Sequence, residues 1–145
     1  MVWLKKATED DRKFNLEVTE EQKHFCASYQ RILDYILAEP NENRYGGYII
    51  YDDETPVGIM SYCDLDELQV YNFCYLLIDR RYQRRGYAFK AIGLLMEKFR
   101  EDGKYSTVSV TLFDTNEEAR KLYEKCGFRP TGCTFEDEYD MEMAL

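Results

Sequence analysis

Phe73-Cys74-Tyr75-Leu76-Leu77-Ile78, followed closely by Gln83-Arg84-Arg85-Gly86-Tyr87-Ala88, is the stretch on which the reading of this chain turns. The first run is apolar and β-prone. After the second, apolar residues recur at Ala88, Ala91, Ile92, Leu95, Met96 and Phe99, a helical period that stops near Gly103. Strand, short glycine-bearing loop, then helix is the order in which backbone N–H groups and a positive helix end converge on an anion. The loop has neither the Gly-Lys-Ser/Thr ending of a Walker loop nor the three-glycine dinucleotide spacing. Gly86 lets backbone approach a phosphate with no Cβ in the way, and the small Ala88 keeps the first helical turn close. Taken alone, Gly86 reads as a simple turn before a helix.

The surroundings of this loop differ from the rest of the chain. The net charge is −9 over 145 residues. Residues 1–70 carry 7 Lys/Arg against 15 Asp/Glu, residues 80–104 carry 8 against 3, and residues 105–145 carry 4 against 9. Most of this surface repels a polyanion, so nucleic acid is not an expected partner. A small anion in the basic middle beside a cationic substrate drawn by the acidic remainder is consistent with the pattern, as is acid that serves solubility alone. Five scattered cysteines without a C-x-x-C pair, and a single histidine, point to buried free thiols rather than metal ligands. No apolar run is long enough for a membrane span and no signal-peptide layout is seen, so a cytoplasmic protein is expected.

Composition is globular, with 45% hydrophobic residues and no repeat, linker or low-complexity tract, which predicts one domain over residues 1–145. Val2 to Ala7 reads as a first strand and Thr8-Glu9-Asp10-Asp11 as a helix start. Glu20 to about Glu39 is helical in period, as one helix or as two broken near Ala27-Ser28, and stops before Pro40. Asn41 to Gly47 reads as a loop, and Tyr48–Tyr51 with Val57–Tyr62 as a hairpin around residues 52–56. Asp64 to Gln69 is an acidic excursion before a long strand at 70–78. A β-prone run at 107–112, a helix from about Glu117 to Cys126 stopped by Gly127, and two strands near 128–134 and 139–143 complete the pattern. The class is α+β: a mixed sheet with helices on both faces.

A second motif lies about thirty residues beyond the loop: Asn116-x-x-Ala119-x-x-Leu122-Tyr123-x-x-x-Gly127-Phe128. Together with Gln83-x-x-Gly86-x-Ala88, in this order and separated by a helix and a strand, it resembles the GNAT superfamily of N-acetyltransferases. The resemblance is firm over residues 70 to 130, and from Ile78 onward it is most similar to bacterial spermine/spermidine acetyltransferases. It implies a GNAT fold with a mostly antiparallel sheet of about seven strands, roughly four helices, and a splayed parallel pair formed by the strands at 70–78 and 107–112. It also implies acetyl-coenzyme A (acetyl-CoA) as co-substrate, no metal, and a small-molecule amine, first a polyamine or diamine, as acceptor. A homodimer is an open expectation.

Site residues follow from the same resemblance. The backbone of Leu76, Leu77 and Ile78 would pair with the pantetheine arm, and an N–H there would stabilise the oxyanion. Gln83, Arg84, Arg85, Gly86, Tyr87 and Ala88 would cradle the pyrophosphate, with Arg84 and Arg85 ranked above Arg80 and Arg81. Asn116 would hydrogen-bond the cofactor, or simply cap its helix. Tyr123 would donate a proton to the departing thiolate, although a helical tyrosine beside Leu122 is ordinarily core. An ammonium of pKa about 10.4 must lose a proton before it attacks. Cys74 stands where the compared polyamine enzymes tend to carry an acid; Asp64, Asp66 and Glu67 are nearby acids of a kind usually solvated, and His24 reads as structural. Acetylation of a protein N-terminus, lysine or amino-sugar, and acyl-CoA binding without turnover, are the alternatives.

Overall fold

The computed structural model describes residues 1–38 and 44–145. Seven strands form one sheet: β1 (Val2–Lys6), β2 (Tyr45–Asp52), β3 (Thr55–Leu65), β4 (Val70–Ile78), β5 (Thr107–Phe113), β6 (Arg129–Phe135) and β7 (Glu138–Ala144). Their order is β1-β2-β3-β4-β5-β7-β6, and every neighbouring pair is antiparallel except β4 with β5. Three α-helices, α1 (Tyr29–Leu37), α2 (Tyr87–Asp102) and α3 (Glu117–Cys126), are joined by three short 3-10 turns at Glu9–Lys13, Gln22–His24 and Arg80–Tyr82.

Alternating side chains divide the core between the two faces of the sheet. Ile49, Ile59 and Leu77 pack under α1 against Ile32, Leu33 and Ile36. Their chain neighbours Ile50, Met60 and Ile78 join the other cluster, with Ala91, Ile92, Leu95 and Phe99 of α2 and Tyr123 of α3. Period 2 in the strands and 3.6 in the helices thus produce a helix layer on each face.

Several predicted boundaries shift. The helical pattern over 20–39 is broken, and only Tyr29–Leu37 is α-helix. Ser28 caps it by accepting from the Arg31 N–H at 3.3 Å, while the first piece is a single 3-10 turn. The expected loop at 41–47 is wrong for Tyr45–Gly47, which are strand; residues 41–43, like Glu39 and Pro40, lie outside the described residues. The hairpin turn narrows to Asp53-Glu54, with Asp53 at φ 53°. Roughly four helices become three because the Thr8 start yields one 3-10 turn, in which the Asp11 carboxylate accepts from the Thr8 N–H at 2.8 Å.

The feature that positions the site is an irregularity in β4. Tyr62 pairs with Phe73 and Ser61 with Tyr75, so Cys74 is an extra residue opposite no partner. Before this bulge Tyr71 and Phe73 face α2; after it Leu77 faces α1. A bulge bends and over-twists its strand. The parallel pairing of β4 with β5 is confined to Tyr71–Phe73 against Val108–Val110. Beyond it the two strands part.

Candidate active site

Where β4 and β5 separate, a cavity of about 1070 Å³ opens. Leu76 and Ile78 of β4, Thr111 and Phe113 of β5, and Ala88 and Tyr123 of the two facing helices lie on its wall. Past Phe73 the β5-facing edge of β4 has no ladder partner, so backbone donors and acceptors are presented to the gap. The Leu76 carbonyl accepts from the Cys26 thiol at 3.7 Å. Leu77 turns its side chain into the α1 core, so only its backbone is placed to serve the cleft.

The start of α2 closes one end of this gap. Gly86 is its N-cap at φ 81°, with no side-chain cap, no acid in the first turn, and open space where a Cβ would stand. Arg84 also takes a positive φ, 64°. The first four N–H groups of a helix have no partner in the helix, so this end presents donors and a partial positive charge. Around the loop, the anchoring is specific. Asp79 caps the 3-10 turn, accepts from the Glu17 N–H at 3.0 Å and pairs with Arg81 at 2.8 Å. Burial works against its charge, yet these donors hold its carboxyl below the ordinary carboxylate value.

Each predicted cradle residue can be placed. Gln83, Arg84, Gly86, Tyr87 and Ala88 line the cavity. The Gln83 side chain turns inward, donating to the Ile78 carbonyl at 2.9 Å and exchanging hydrogen bonds with Gln22. Tyr87 donates to Asp52 at 2.6 Å, tying α2 to the β2–β3 turn. Arg85 lies over the Tyr82 ring at 5.7 Å. Gln83 and Tyr87 thus also brace the loop with their side chains.

On the opposite wall, Asn116 caps α3, accepting from the Ala119 N–H at 3.2 Å, and also lines the cavity. Gly127 ends that helix at φ 110°, against Met143. The Tyr123 ring is held edge-on between Phe73 and Phe128, at 5.9 and 5.6 Å. Its hydroxyl makes no hydrogen bond to a described residue, and the ring lines the cleft. Burial, with Cys126 and Cys26 nearby, pushes the phenol above its usual pKa and keeps it protonated.

The candidate bases separate clearly. Asp64 is not a solvated loop acid: it is fully buried on β3, paired with Arg44 at 3.1 Å and Lys104 at 2.9 Å. Asp66 pairs with Lys104 at 3.0 Å and contacts the Tyr105 hydroxyl. Neither lines the cleft, nor does Glu67 or His24. Cys74 does, with its sulfur 3.6 Å from that of Cys63. Cys63, Ser61, Cys26 and the tyrosines 35, 45, 62 and 75 are wall residues that sequence reasoning missed. No local motif marks them, since their neighbourhood is made by the fold. Not all free thiols are buried either, for Cys133 is exposed. Among the described residues no three metal-binding side chains cluster, and no helix is long and apolar enough to cross a membrane.

Residues 6–128 match the model of the acetyltransferase (GNAT) family. The chain belongs to the GNAT family. It is an acetyl-CoA-dependent N-acetyltransferase. Solved structures share this GNAT fold at low identity. The GNAT domain of an acetyltransferase from S. lividans is 15% identical, with TM-score 0.80 over 98% of this chain and 89% of that one. An acetyltransferase from Bacillus subtilis in complex with CoA is 15% identical, with TM-score 0.71 over 99% and 97%. A chimera of the Vibrio cholerae spermidine N-acetyltransferase SpeG with hSSAT is 18% identical, with TM-score 0.77 over 99% and 94%. None of the curated proteins matches this GNAT chain.

Proposed function

We propose that this GNAT chain, acting as one domain over residues 1–145, transfers the acetyl group of acetyl-CoA directly to a primary amine, with a small polyamine or diamine as acceptor. The observation that carries the donor half is the start of α2, uncapped and open above Gly86, at the mouth of the gap between β4 and β5. In this reading the N–H groups of residues 84–88 and the Arg84 guanidinium hold the pyrophosphate. The free edge of β4 at Leu76–Ile78 pairs with the pantetheine arm, as an added strand would. Asn116 sits beside that arm. Tyr123 donates its proton to the thiolate released from the thioester.

For the acceptor, support comes from the net charge of −9 and from the rings of Tyr35, Tyr45, Tyr62 and Tyr75 on the cleft wall. Aromatic faces suit both the methylene stem and the ammonium of a diamine. The spermidine enzyme among the structural relatives acts on such an amine. The same rings also favour a second reading, a peptide N-terminus or lysine flanked by apolar residues. Release of CoA thiol from acetyl-CoA, measured across polyamines, amino acids, aminoglycosides and peptides, tests these readings. Release with diamines or polyamines at the highest kcat/KM supports the first, and preference for peptides supports the second. Tight CoA binding without release for any amine overturns both in favour of a binding module.

A further inference from the structure

A proton must leave the acceptor ammonium before its nitrogen attacks, and the carboxylates near β4 in sequence are held away from the cleft. Glu21, Glu117, Glu118 and Glu138 also line the cavity, on the turn before Gln22, on α3 and on β7; beside the β4 bulge itself the wall offers a set of sulfur and hydroxyl groups. Ser61, only 3% exposed, has the one buried side-chain oxygen among the described residues without a hydrogen-bond partner, and it lines the cavity. A buried hydroxyl left unpaired costs stability, so such a group on a ligand cleft points to a partner that arrives with the ligand. Two residues along the same face of β3 stands Cys63, with Cys74 of β4 at 3.6 Å.

The thiol pair is oriented from outside. Ser109 on β5 donates to Asn72 Oδ1 at 3.1 Å. This leaves the Asn72 amide nitrogen facing the Cys74 sulfur, at 3.6 Å. The Cys74 S–H has the Asn72 carbonyl at 3.4 Å and the Cys63 sulfur at 3.6 Å within reach, and turned to Cys63 it completes the chain. That chain of donors ends on the Cys63 sulfur and favours its anion. The hydrogen bond from Cys74, with help from Asn72, holds the Cys63 thiol below its ordinary value despite burial. The hydrogen bond with Cys63 and desolvation raise Cys74 correspondingly. The other titratable groups around Cys63 are Tyr45, paired with it from β2, Tyr75 of β4, Tyr35 of α1 stacked on Tyr75, and Asp64 on its own strand. Asp64 opposes the thiolate but is already neutralised by Arg44 and Lys104.

We propose that Ser61, Cys63 and Cys74 form the subsite for the acceptor nitrogen, in which Ser61 Oγ accepts one N–H of the amine and the Cys63 sulfur takes the ammonium proton. This rests on the amine-acetylation reading above. The ammonium passes one proton to the Cys63 thiolate, giving a thiol and a free amine. The nitrogen lone pair forms the C–N bond at the thioester carbonyl, and the tetrahedral intermediate breaks its C–S bond. The CoA thiolate takes the Tyr123 proton, and the proton shed by the acetylated nitrogen returns to the phenolate. Cys63 then releases its proton to solvent. The sulfur is a base here and carries no acetyl group.

Steady-state kinetics over pH with the best amine of the panel tests the subsite. For Cys63→Ser, kcat/KM for the amine should fall about 100-fold at neutral pH, the loss shrinking as pH nears the amine's own pKa of about 10.4. The KM for acetyl-CoA should stay within about twofold. Ser61→Ala should raise the KM for the amine about tenfold with kcat little changed. Cys133→Ser, at an exposed position on β6, serves as the control. Thiolate ultraviolet absorbance, wild type minus Cys63→Ser, provides a readout independent of turnover. It should show a thiol titrating below 9.0 that moves up in Cys74→Ala. A Cys63 thiol titrating at or above that value, or an unchanged pH profile in Cys63→Ser, overturns the subsite while wild-type turnover keeps the amine reading intact. Absence of turnover in the wild type with every amine overturns the amine reading and the subsite together.

Discussion

Tyr123 shows how surroundings set the chemistry open to one side chain. Thirteen tyrosines occur in the chain, and residue type alone distinguishes none of them. This one has its ring clamped by Phe73 and Phe128 on the cleft wall, and its hydroxyl makes no hydrogen bond to a described residue. Tyr123→Phe should lower kcat about 100-fold while the affinity for CoA changes less than twofold, measured by single-turnover kinetics and calorimetry. Equal kcat in the variant would remove the phenol from the mechanism. Because the raised pKa means burial favours the neutral form, the associated stability is fully present below the ordinary value of 10.0 and is lost as pH rises through the folded value. Thermal melts should therefore fall more steeply above pH 10 for the wild type than for Tyr123→Phe. Asp79 works with the opposite sign. Its carboxyl is held below 3.8, so its contribution is present above that pH and is lost as pH drops through the folded value. Asp79→Ala removes the cap, the Glu17 tie and the Arg81 pair together, and should cost about 1–3 kcal/mol in urea unfolding at neutral pH, little of it remaining in strong acid.

At the scale of elements, the cleft exists because β4 carries one residue too many. Cys74 has no partner on β3, the strand twists, and β4 leaves β5 after three paired residues. The start of α2 stands at the end of the gap. Gly86 there holds φ 81° with nothing within reach of an added Cβ. Gly86→Ala should therefore cost only the left-handed strain, about 1 kcal/mol, in unfolding free energy. Its methyl would stand where a phosphate must approach, so the Kd for CoA should rise more than tenfold by calorimetry. A CoA affinity unchanged in a variant that loses stability would show that the loop is a turn and no cradle. The anion loop and the helix after it were legible in the sequence because both depend on neighbours within a turn or two of chain. The N-terminal helix was half legible: its apolar face and the break near Ala27-Ser28, where Ser28 caps α1, were visible, yet the period did not show that the piece before the break is a single 3-10 turn at Gln22–His24.

For the molecule as a whole, charge is the property that acts at a distance. An acidic body around a basic loop attracts cationic amines over roughly the Debye length, about 10 Å at 0.1 M salt. If the acceptor is a polyamine, its kcat/KM should fall severalfold between low salt and 0.5 M, while a mono-amine of the same length changes less. Identical salt dependence for both would reduce the acidic surface to a solubility device.

The sequence by itself determined the family and pointed to the proposed donor site. Gln83 to Ala88 and Asn116 to Phe128 are compact motifs whose meaning comes from local backbone geometry, and the alternation of strands and helices set the α+β class. Only the tertiary structure brings together the side chains proposed to meet the acceptor. Ser61, Cys63 and Cys74 belong to two strands, Tyr35 to a helix and Tyr45 to a third strand, and no spacing along the chain announces their meeting. The fold also removed one candidate acid, for Asp64 looks like a loop residue until Arg44 and Lys104 are found closing on it. The physical reason is the same in both cases. A phosphate cradle is built from consecutive N–H groups, whereas burial, pairing and the availability of a proton acceptor are properties of neighbours brought together across the sheet.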